Sequence, residues 1–135
     1  MNLLSIAGSD PSSGAGIQSD IKTFTSLGSY ALTVITSITS QNTTKFGKIE
    51  PISSKMIKNQ IDYIFSDFKV DAIKIGMVYN SSTIRAIFLK LSKTSIPIIL
   101  DPIIKSTTGG RLIKKDALED YKKYLIPIAH AITPN

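Results

Sequence analysis

The apolar residues of this chain follow two alternating patterns. Four segments place them at the 3.6-residue spacing of an amphipathic helix, and five shorter segments are almost continuously apolar and rich in β-branched residues. The helical segments are residues 17–27, 57–68, 84–91 and 116–125, and the apolar runs are residues 3–7, 31–35, 72–75, 96–100 and 128–132. Apolar strands joined by helices are typical of a parallel sheet buried on both faces. The pattern therefore predicts an α/β fold, an open, doubly wound and mostly parallel sheet with flanking helices.

The segments between these elements add detail at three points. Gly28 is expected to cap the end of the first helix, and Asn80 or Ser81 the start of the third. The stretch from Thr36 to Pro51 shows no clear periodicity. Irregular segments of this length are usually functional, so we interpret it either as a functional loop or as a small excursion of edge strands.

Small and polar residues follow the end of every predicted strand. They are Gly8-Ser9-Asp10, Thr36 leading to Gln41-Asn42-Thr43, Gly76-Met77, Asp101-Pro102 and Thr133-Pro134-Asn135. In an open α/β sheet, ligands bind in the crevice beyond the carboxyl ends of the strands. We therefore expect these segments to converge on one ligand site. The glycine-rich turn after the first strand adds to this expectation, although a tight turn that binds nothing is its alternative.

Five side chains at these strand ends and in the first helix are candidates for ligand contact. Asp10 and Asp20 can accept hydrogen bonds, and Gln41 can both donate and accept, which suits the edge of a heteroaromatic ring. Met77 can lie against a ring face, and Asp101 can hold a phosphate-bound Mg²⁺. Each has a structural alternative: an Asx turn for Asp10, a solvated helix face for Asp20, a core position for Met77 and a turn start for Asp101.

Composition and charge argue against a nucleic-acid-binding, a membrane-spanning and a secreted protein. The chain has 135 residues, no cysteine and one histidine, His130, which falls in the last predicted strand and is expected to be packed. The formal net charge is +6, but the lysines are dispersed over predicted helix faces without interleaved aromatic residues, so we expect no nucleic-acid partner. No apolar run is long enough to span a membrane, and the N-terminus lacks a signal-peptide pattern, so a cytoplasmic location is expected. Neither a Walker A motif nor a dinucleotide-binding fingerprint is present.

The quoted motifs, taken together, resemble a known family. The blocks are Gly8-Ser9-Asp10-Pro11, Gly14-Ala15-Gly16-Ile17-Gln18 with Asp20, Gln41-Asn42-Thr43, Asp71-Ala72-Ile73-Lys74-Ile75-Gly76-Met77, Asp101-Pro102 and Ile132-Thr133-Pro134-Asn135. In this order they resemble the start of the hydroxymethylpyrimidine/phosphomethylpyrimidine kinases, ribokinase-like enzymes of thiamine biosynthesis. The resemblance covers essentially the whole chain.

The resemblance implies a function and a set of site residues. It implies that ATP, with Mg²⁺, phosphorylates 4-amino-5-hydroxymethyl-2-methylpyrimidine and then its monophosphate. Gly8, Asp20, Gln41 and Met77 match positions around the pyrimidine. Asp101 matches an acidic position near the metal and phosphates, and Asn135 matches the first residue of an Asn-x-x-Glu motif linked to them.

Two departures from the family pattern set further expectations. Ser13 stands where the family usually has glycine, which either stiffens the loop or only adds a hydroxyl. The family's anion hole and catalytic base correspond to positions beyond Asn135. We therefore expect residues 1–135 to be the N-terminal part of a kinase domain, without the nucleotide-binding part, without a catalytic residue and without efficient phosphorylation by itself.

Other functions and partner arrangements remain open at this stage. The alternatives to a pyrimidine kinase are part of a pyridoxal-type vitamin kinase and a pyrimidine-binding module without catalysis. The partner arrangements are a homodimer and a separate chain that supplies the C-terminal part.

Overall fold

A computed structural model describes residues 1–133 of the chain. Strands β1 (Asn2–Ser9), β2 (Tyr30–Gln41), β3 (Phe46–Pro51), β4 (Ala72–Ile75), β5 (Ile98–Leu100) and β6 (Ala131–Ile132) form one sheet. Helices α1 (Gly16–Ser26), α2 (Ser54–Asp67) and α3 (Ser81–Leu91) join them. A fourth helical segment combines a 3₁₀ turn (Lys115–Ala117), one α turn (Leu118–Asp120), a π-helical turn (Tyr121–Leu125) and a second 3₁₀ turn (Ile126–Ile128).

The sheet has the order β3-β2-β1-β4-β5-β6, and all neighbouring pairs are parallel except β2 with β3. The chain builds outward from β1 through β2 to β3, then returns to the other side of β1 and builds outward through β4. The direction of winding therefore reverses between β1 and β4, which is where open α/β sheets bind ligands. This architecture confirms the predicted α/β fold with its mostly parallel sheet.

The two faces of the sheet differ in polarity. Leu4 and Ile6 of β1 and Ile73 and Ile75 of β4 are buried in the main core, together with residues of α2, α3 and the fourth helical segment. Because successive side chains of a strand point to opposite faces, Ser5 and Lys74 lie on the other face, which α1 covers. The α1 face therefore contains polar groups beneath a single helix.

Strands β2 and β5 differ from the sequence predictions. Strand β2 continues to Gln41, and residues 46–51 pair with it as antiparallel β3, so the stretch is not an irregular loop and the edge-strand interpretation is confirmed. The burial of the β2 side chains alternates except at Thr36 and Ser37, which are both buried where the register with β1 shifts. Strand β5 begins only at Ile98, since Pro97 cannot donate to a strand ladder.

The expectation for His130 is wrong. The predicted strand 128–132 is reduced to Ala131–Ile132 because Pro127 lies in a 3₁₀ turn that ends at Ile128. His130 therefore precedes the strand and is exposed, not packed. Its Nδ1 accepts a hydrogen bond of 3.1 Å from the backbone N–H of Ile98.

The predicted helix ends fit the structure. Helix α1 ends at Ser26, and Gly28 follows with φ of 80°. The side chain of Asn80 accepts a hydrogen bond from the N–H of Thr83 at the start of α3, so Asn80 rather than Ser81 is the N-cap. Within the described residues, every helix falls short of the length and hydrophobicity that a membrane crossing requires.

Candidate functional site

A cavity of about 400 Å³ opens at the carboxyl ends of β1, β2, β4 and β5. Its walls come from the β1–α1 connection, the β2–β3 turn, the segment after β4 and the segment 101–112. Of the residues proposed from the sequence, the structure brings Gly8, Gln41, Met77 and Asp101 together around this cavity, with Asp10 beside them. Asp20 is not among the lining residues, and Asn135 lies outside the described residues.

Asp10 organises the loop between β1 and α1. Its Oδ1 accepts hydrogen bonds from the N–H of Ser12 (2.9 Å) and from the Ser12 hydroxyl (2.7 Å), and its Oδ2 accepts from the N–H of Ala15 (2.9 Å). This is the Asx turn that the sequence left as an alternative. Burial by itself would raise the pKa of Asp10, but these hydrogen bonds, together with one from the Gly14 backbone, outweigh it and hold the pKa below 3.8.

Gln18 fastens the same loop from the helix side. Its Oε1 accepts from the N–H of Asp10 at 2.8 Å, and its Nε2 donates to the hydroxyl of Ser9 at 2.8 Å. Gln18 was not among the candidate site residues, although it stands in one of the quoted motif blocks. The capping-box pattern does not predict this contact, because that pattern bonds the N–H of the N-cap residue, here Ala15, and Gln18 accepts from the N–H of Asp10 instead.

Met77 forms a wall of the cavity and is only 5% exposed. A Cβ on Gly8 would lie 2.7 Å from the Met77 Sδ, so this packing requires a glycine at position 8. The hydroxyl of Thr36 donates to the Met77 carbonyl at 2.7 Å, and the hydroxyl of Ser37 approaches its sulfur at 3.6 Å. The methionine is therefore held in place by the backbone of β1 and by two polar side chains of β2.

The hydrogen bonds of β2 determine which way the Gln41 carboxamide faces. The single hydroxyl proton of Thr39 is donated to the carbonyl of Ser9 (2.7 Å), so Thr39 Oγ1 can only accept from Gln41, whose Nε2 lies 2.9 Å away. The amide nitrogen thus faces Thr39. The Oε1 of Gln41 has no partner among residues 1–133 and is available as an acceptor at the cavity.

Asp20 and Asp101 are connected by a lysine. Lys74 Nζ lies 2.6 Å from Asp20 Oδ1 and 3.6 Å from Asp101 Oδ2. Asp20 is buried and also accepts from the hydroxyl of Ser5 at 2.6 Å. The alternative of a solvated helix face for Asp20 is therefore wrong, and its carboxylate is engaged inside the protein. Lys74 was not among the candidate site residues, although it stands in a quoted motif block, because a lysine within a strand gives no signal of its partners.

Asp101 lies at the cavity edge and is also close to a buried hydroxyl. Its Oδ1 accepts from the Thr133 hydroxyl at 2.8 Å. The hydroxyl of Tyr121 is buried and has no hydrogen-bond partner within the described part of the chain. Burial, reinforced by the negative charge of Asp101, raises the pKa of Tyr121.

The segment after β5 covers one side of the cavity. Lys105 and Arg111 form an isolated antiparallel bridge, and the intervening turn places Gly110 directly against the ring of Phe46 at the start of β3. A Cβ on Gly110 would overlap the Phe46 ring. This contact fastens the segment, here called the cover segment (residues 103–112), to the antiparallel edge of the sheet.

The chemistry of Asp101 fits a metal ion that is carried by a phosphate. Among residues 1–133 no group of three or more acidic or histidine side chains is arranged to hold a metal ion. Mg²⁺ is commonly held by one or two carboxylates, with phosphate oxygens and water completing its shell. Asp101 fits that role because it can contribute one carboxylate oxygen to a Mg²⁺ that arrives with a phosphate.

Comparisons with known proteins agree on one family. A family model described as phosphomethylpyrimidine kinase matches residues 10–135. A hydroxymethylpyrimidine/phosphomethylpyrimidine kinase of Rhizobium meliloti is 45% identical over 132 residues, which are 98% of this chain and 50% of that protein. A crystal structure of phosphomethylpyrimidine kinase from Clostridium difficile superposes with a TM-score of 0.92 at 46% identity, covering 100% of this chain and 59% of the other.

A second vitamin kinase is also similar in structure. The pyridoxal kinase from Staphylococcus aureus in complex with pyridoxal gives a TM-score of 0.86 at 29% identity, covering 99% of this chain and 50% of that one. The same enzyme was solved with ADP and with AMP-PCP. This chain spans about half the length of the curated relatives it matches.

Proposed function

The chain belongs to the phosphomethylpyrimidine kinase family, and we propose that its cavity binds 4-amino-5-hydroxymethyl-2-methylpyrimidine and the monophosphate of that compound. The reaction to which this binding contributes is the ATP-dependent phosphorylation of both compounds in thiamine biosynthesis. Residues 1–135 correspond to the substrate-binding part of such a kinase. The nucleotide site and the phosphoryl transfer require the other half that the relatives possess.

The observation that carries the proposal is the orientation of Gln41 beside Met77. The free Oε1 of Gln41 is an acceptor for an exocyclic amino group, which is a donor, and the sulfur and methylene groups of Met77 offer an apolar wall to a ring face. The backbone of Gly8 approaches the same space without a side chain. A flat heteroaromatic ring with an amino substituent matches this combination.

Asp101 and Asp20 have different proposed roles. Asp101 lies at the cavity edge and would face the hydroxymethyl group or its phosphate, where it contributes one oxygen to a bound Mg²⁺. ATP supplies the phosphoryl group when the nucleotide site is complete. Alignment of the two substrates and neutralisation of phosphate charge are the main contributions that a protein makes to such a transfer. Asp20 acts through Lys74 and not by contact with the pyrimidine.

A melting experiment tests this proposal. A ligand that binds only the folded state raises the midpoint by an amount that grows with its concentration relative to Kd, and at 100 Kd it adds about 2.7 kcal/mol. We expect hydroxymethylpyrimidine to raise the midpoint and Mg-ATP by itself to leave it unchanged. Gln41→Leu should abolish the pyrimidine shift, because it removes the acceptor.

Ser40→Ala is the matched control for Gln41→Leu. Ser40 is the preceding residue of the same strand and faces the other side, where its hydroxyl accepts from the N–H of Lys48. This variant should keep the full pyrimidine shift. A cooperative transition that hydroxymethylpyrimidine does not move would refute the proposed binding function.

Pyridoxal is the second candidate ligand, because the pyridoxal kinase bound to pyridoxal has a closely similar fold. Beside its hydroxymethyl group pyridoxal carries an aldehyde where the pyrimidine carries its amino group, and an aldehyde oxygen cannot donate to Gln41 Oε1. The pyrimidine should therefore bind more tightly than pyridoxal. A larger midpoint shift with pyridoxal at equal concentration would reverse this assignment.

A further inference from the structure

We propose that Lys74 is a positioning residue of this site, one that holds the Asp101 carboxylate at the cavity edge and offsets its charge for a phosphorylated ligand. Asp20 is the residue that anchors Lys74 for this role. The inference rests on the proposed function, because it concerns how the cavity accepts the monophosphate as well as the uncharged pyrimidine.

Lys74 lies in the middle of β4, between two residues of the main core. β4 has only four residues, and Ile73 and Ile75 on either side of Lys74 are buried in the main core. Their alternation directs Lys74 to the α1 face, where its side chain remains 25% exposed. A lysine between two core residues of a central strand is costly to bury without partners. Its ammonium group therefore has to be satisfied by acceptors on that face.

Asp20 supplies the closer of these acceptors. Its Oδ1 lies 2.6 Å from Lys74 Nζ, and its Oδ2 accepts from the Ser5 hydroxyl at 2.6 Å. Both oxygens of this buried carboxylate are thus engaged. Since Asp20 belongs to α1 and Ser5 to β1, the ammonium is held by a helix carboxylate that is itself hydrogen-bonded to the central strand.

Asp101 is the second and looser acceptor. Its Oδ2 lies 3.6 Å from the same Nζ, while its Oδ1 is held by Thr133. Unlike Asp20, Asp101 lines the cavity. The one ammonium is therefore shared by a carboxylate that has no access to the ligand and a carboxylate that faces it.

The net charge of Asp20, Lys74 and Asp101 predicts how loss of Lys74 affects ligand binding. Within the Asp20–Lys74–Asp101 cluster two carboxylates and one ammonium leave one net negative charge, and without Lys74 there would be two. A phosphate that approaches Asp101 without Mg²⁺ is repelled by this charge, whereas an uncharged pyrimidine is not. Loss of Lys74 should therefore weaken binding of the monophosphate far more than binding of hydroxymethylpyrimidine.

The experiment measures both affinities calorimetrically without Mg²⁺, so that no cation bridges Asp101 and the phosphate. Lys74→Met should lower the affinity for the monophosphate by about tenfold or more and the affinity for hydroxymethylpyrimidine by less than about threefold. Lys74→Arg should restore most of the monophosphate affinity, since it keeps the charge. Lys90→Met is the matched control, because it removes one lysine from an ion pair with Asp62 of similar length, 2.9 Å, away from the cavity.

The anchoring role of Asp20 is tested in the same assay. By the same charge argument, Asp20→Asn should raise the monophosphate affinity of the Lys74→Met chain, and should raise it less in the unaltered chain, where Lys74 also loses its anchor; this difference is the non-additivity that a shared partner produces. Where Lys74→Met does not fold, the comparison of Asp20→Asn with Asp20→Asn/Lys74→Met measures the effect of the lysine charge without an unpaired Asp20 carboxylate.

The outcomes separate the two proposals. Equal loss of both ligands on Lys74→Met, or a loss that Lys90→Met reproduces, overturns the role of Lys74 while the proposed function stands. Failure of the unaltered chain to bind either ligand overturns the proposed function and the inference with it.

Discussion

A methyl group on Gly8 would lie 2.7 Å from the sulfur of Met77. Gly8, near the end of β1, and Met77, two residues after β4, are therefore in direct contact across the point where the sheet reverses its winding. Because the backbone of Gly8 and the side chain of Met77 also border the cavity, the shape of the cavity depends on the absence of a side chain at position 8.

Gly8→Ala should displace Met77 and thereby weaken pyrimidine binding. Overpacking of this kind costs about 1–3 kcal/mol of stability. Chemical denaturation and calorimetric titration with hydroxymethylpyrimidine measure the two effects. Met77→Ala should relieve the overlap, so the double variant should be more stable than the sum of the single changes predicts. Strict additivity would show that the two residues do not compete for this space.

Ser13 has a backbone φ of 65°, a left-handed conformation that disfavours residues with a Cβ. The two hydrogen bonds at this residue use its backbone, with its N–H donating to the Asp10 carbonyl and its carbonyl accepting from Lys22 Nζ. Ser13→Gly therefore keeps both and removes the strain. The gain in the free energy of unfolding should be about 0.5–1 kcal/mol, after the greater entropy of glycine in the unfolded chain is subtracted.

Gly28→Ala is the converse control for this prediction. Gly28 has a φ of 80° and no atom within 4 Å of an added Cβ, so the substitution introduces backbone strain without a clash. It should destabilise the chain by about 1 kcal/mol. Urea denaturation measures both variants, and a loss of stability in Ser13→Gly would contradict the assigned strain.

The hydrogen bonds of Asp10 predict an acid-sensitive loop. Its pKa in the folded chain is lowered, so the ionised form contributes stability above its usual pKa of 3.8, and this contribution is lost as the pH falls through the lower folded value. Asp10→Asn should cost about 1–3 kcal/mol at neutral pH, because the donors of Ser12 and Ala15 lose a charged acceptor.

The pH dependence of stability distinguishes an effect of the Asp10 charge from a simple loss of packing. The difference in stability between the parent chain and Asp10→Asn should shrink as the pH is lowered from 6 to about 3 and below. Thermal unfolding across this range provides the measurement. A difference that stays constant with pH would mean that the charge of Asp10 is not what orders the loop.

Gly110 is expected to control closure of the cover segment. An added Cβ at this position overlaps the ring of Phe46, so Gly110→Ala should detach residues 103–112 from β3 and weaken pyrimidine binding by about tenfold. Phe46→Ala in the same chain should restore part of the affinity, since it removes the obstructing ring. Faster amide hydrogen exchange confined to residues 103–112 of Gly110→Ala would identify the detached segment directly.

The pattern of apolar residues was sufficient for the fold class and for most elements. Strands that are buried on both faces and helices with a single apolar stripe leave strong periodic signals, as in Ile73–Ile75 and in α2. The pattern of apolar residues predicted the strand ends wrongly where few apolar residues mark them. β2 continues through Ser and Thr residues to Gln41, and the last strand shrinks to Ala131–Ile132 after a turn that contains Pro127.

The features of the candidate site also fall into those that the sequence predicts and those that only the structure shows. Parallel strands bring their carboxyl ends to one edge of the sheet, so residues at strand ends are expected to meet there. The structure brings four such residues together around the cavity: Gly8, Gln41, Met77 and Asp101. The sequence by itself therefore determined the family, the fold class and the edge at which the cavity lies. Only the tertiary structure decided that Asp20 faces Lys74 instead of the cavity, that Thr39 orients Gln41, and that Gly110 rests on Phe46. These contacts join residues on different elements or depend on the direction of a single hydrogen bond. The periodicity of apolar residues within one segment therefore cannot predict them.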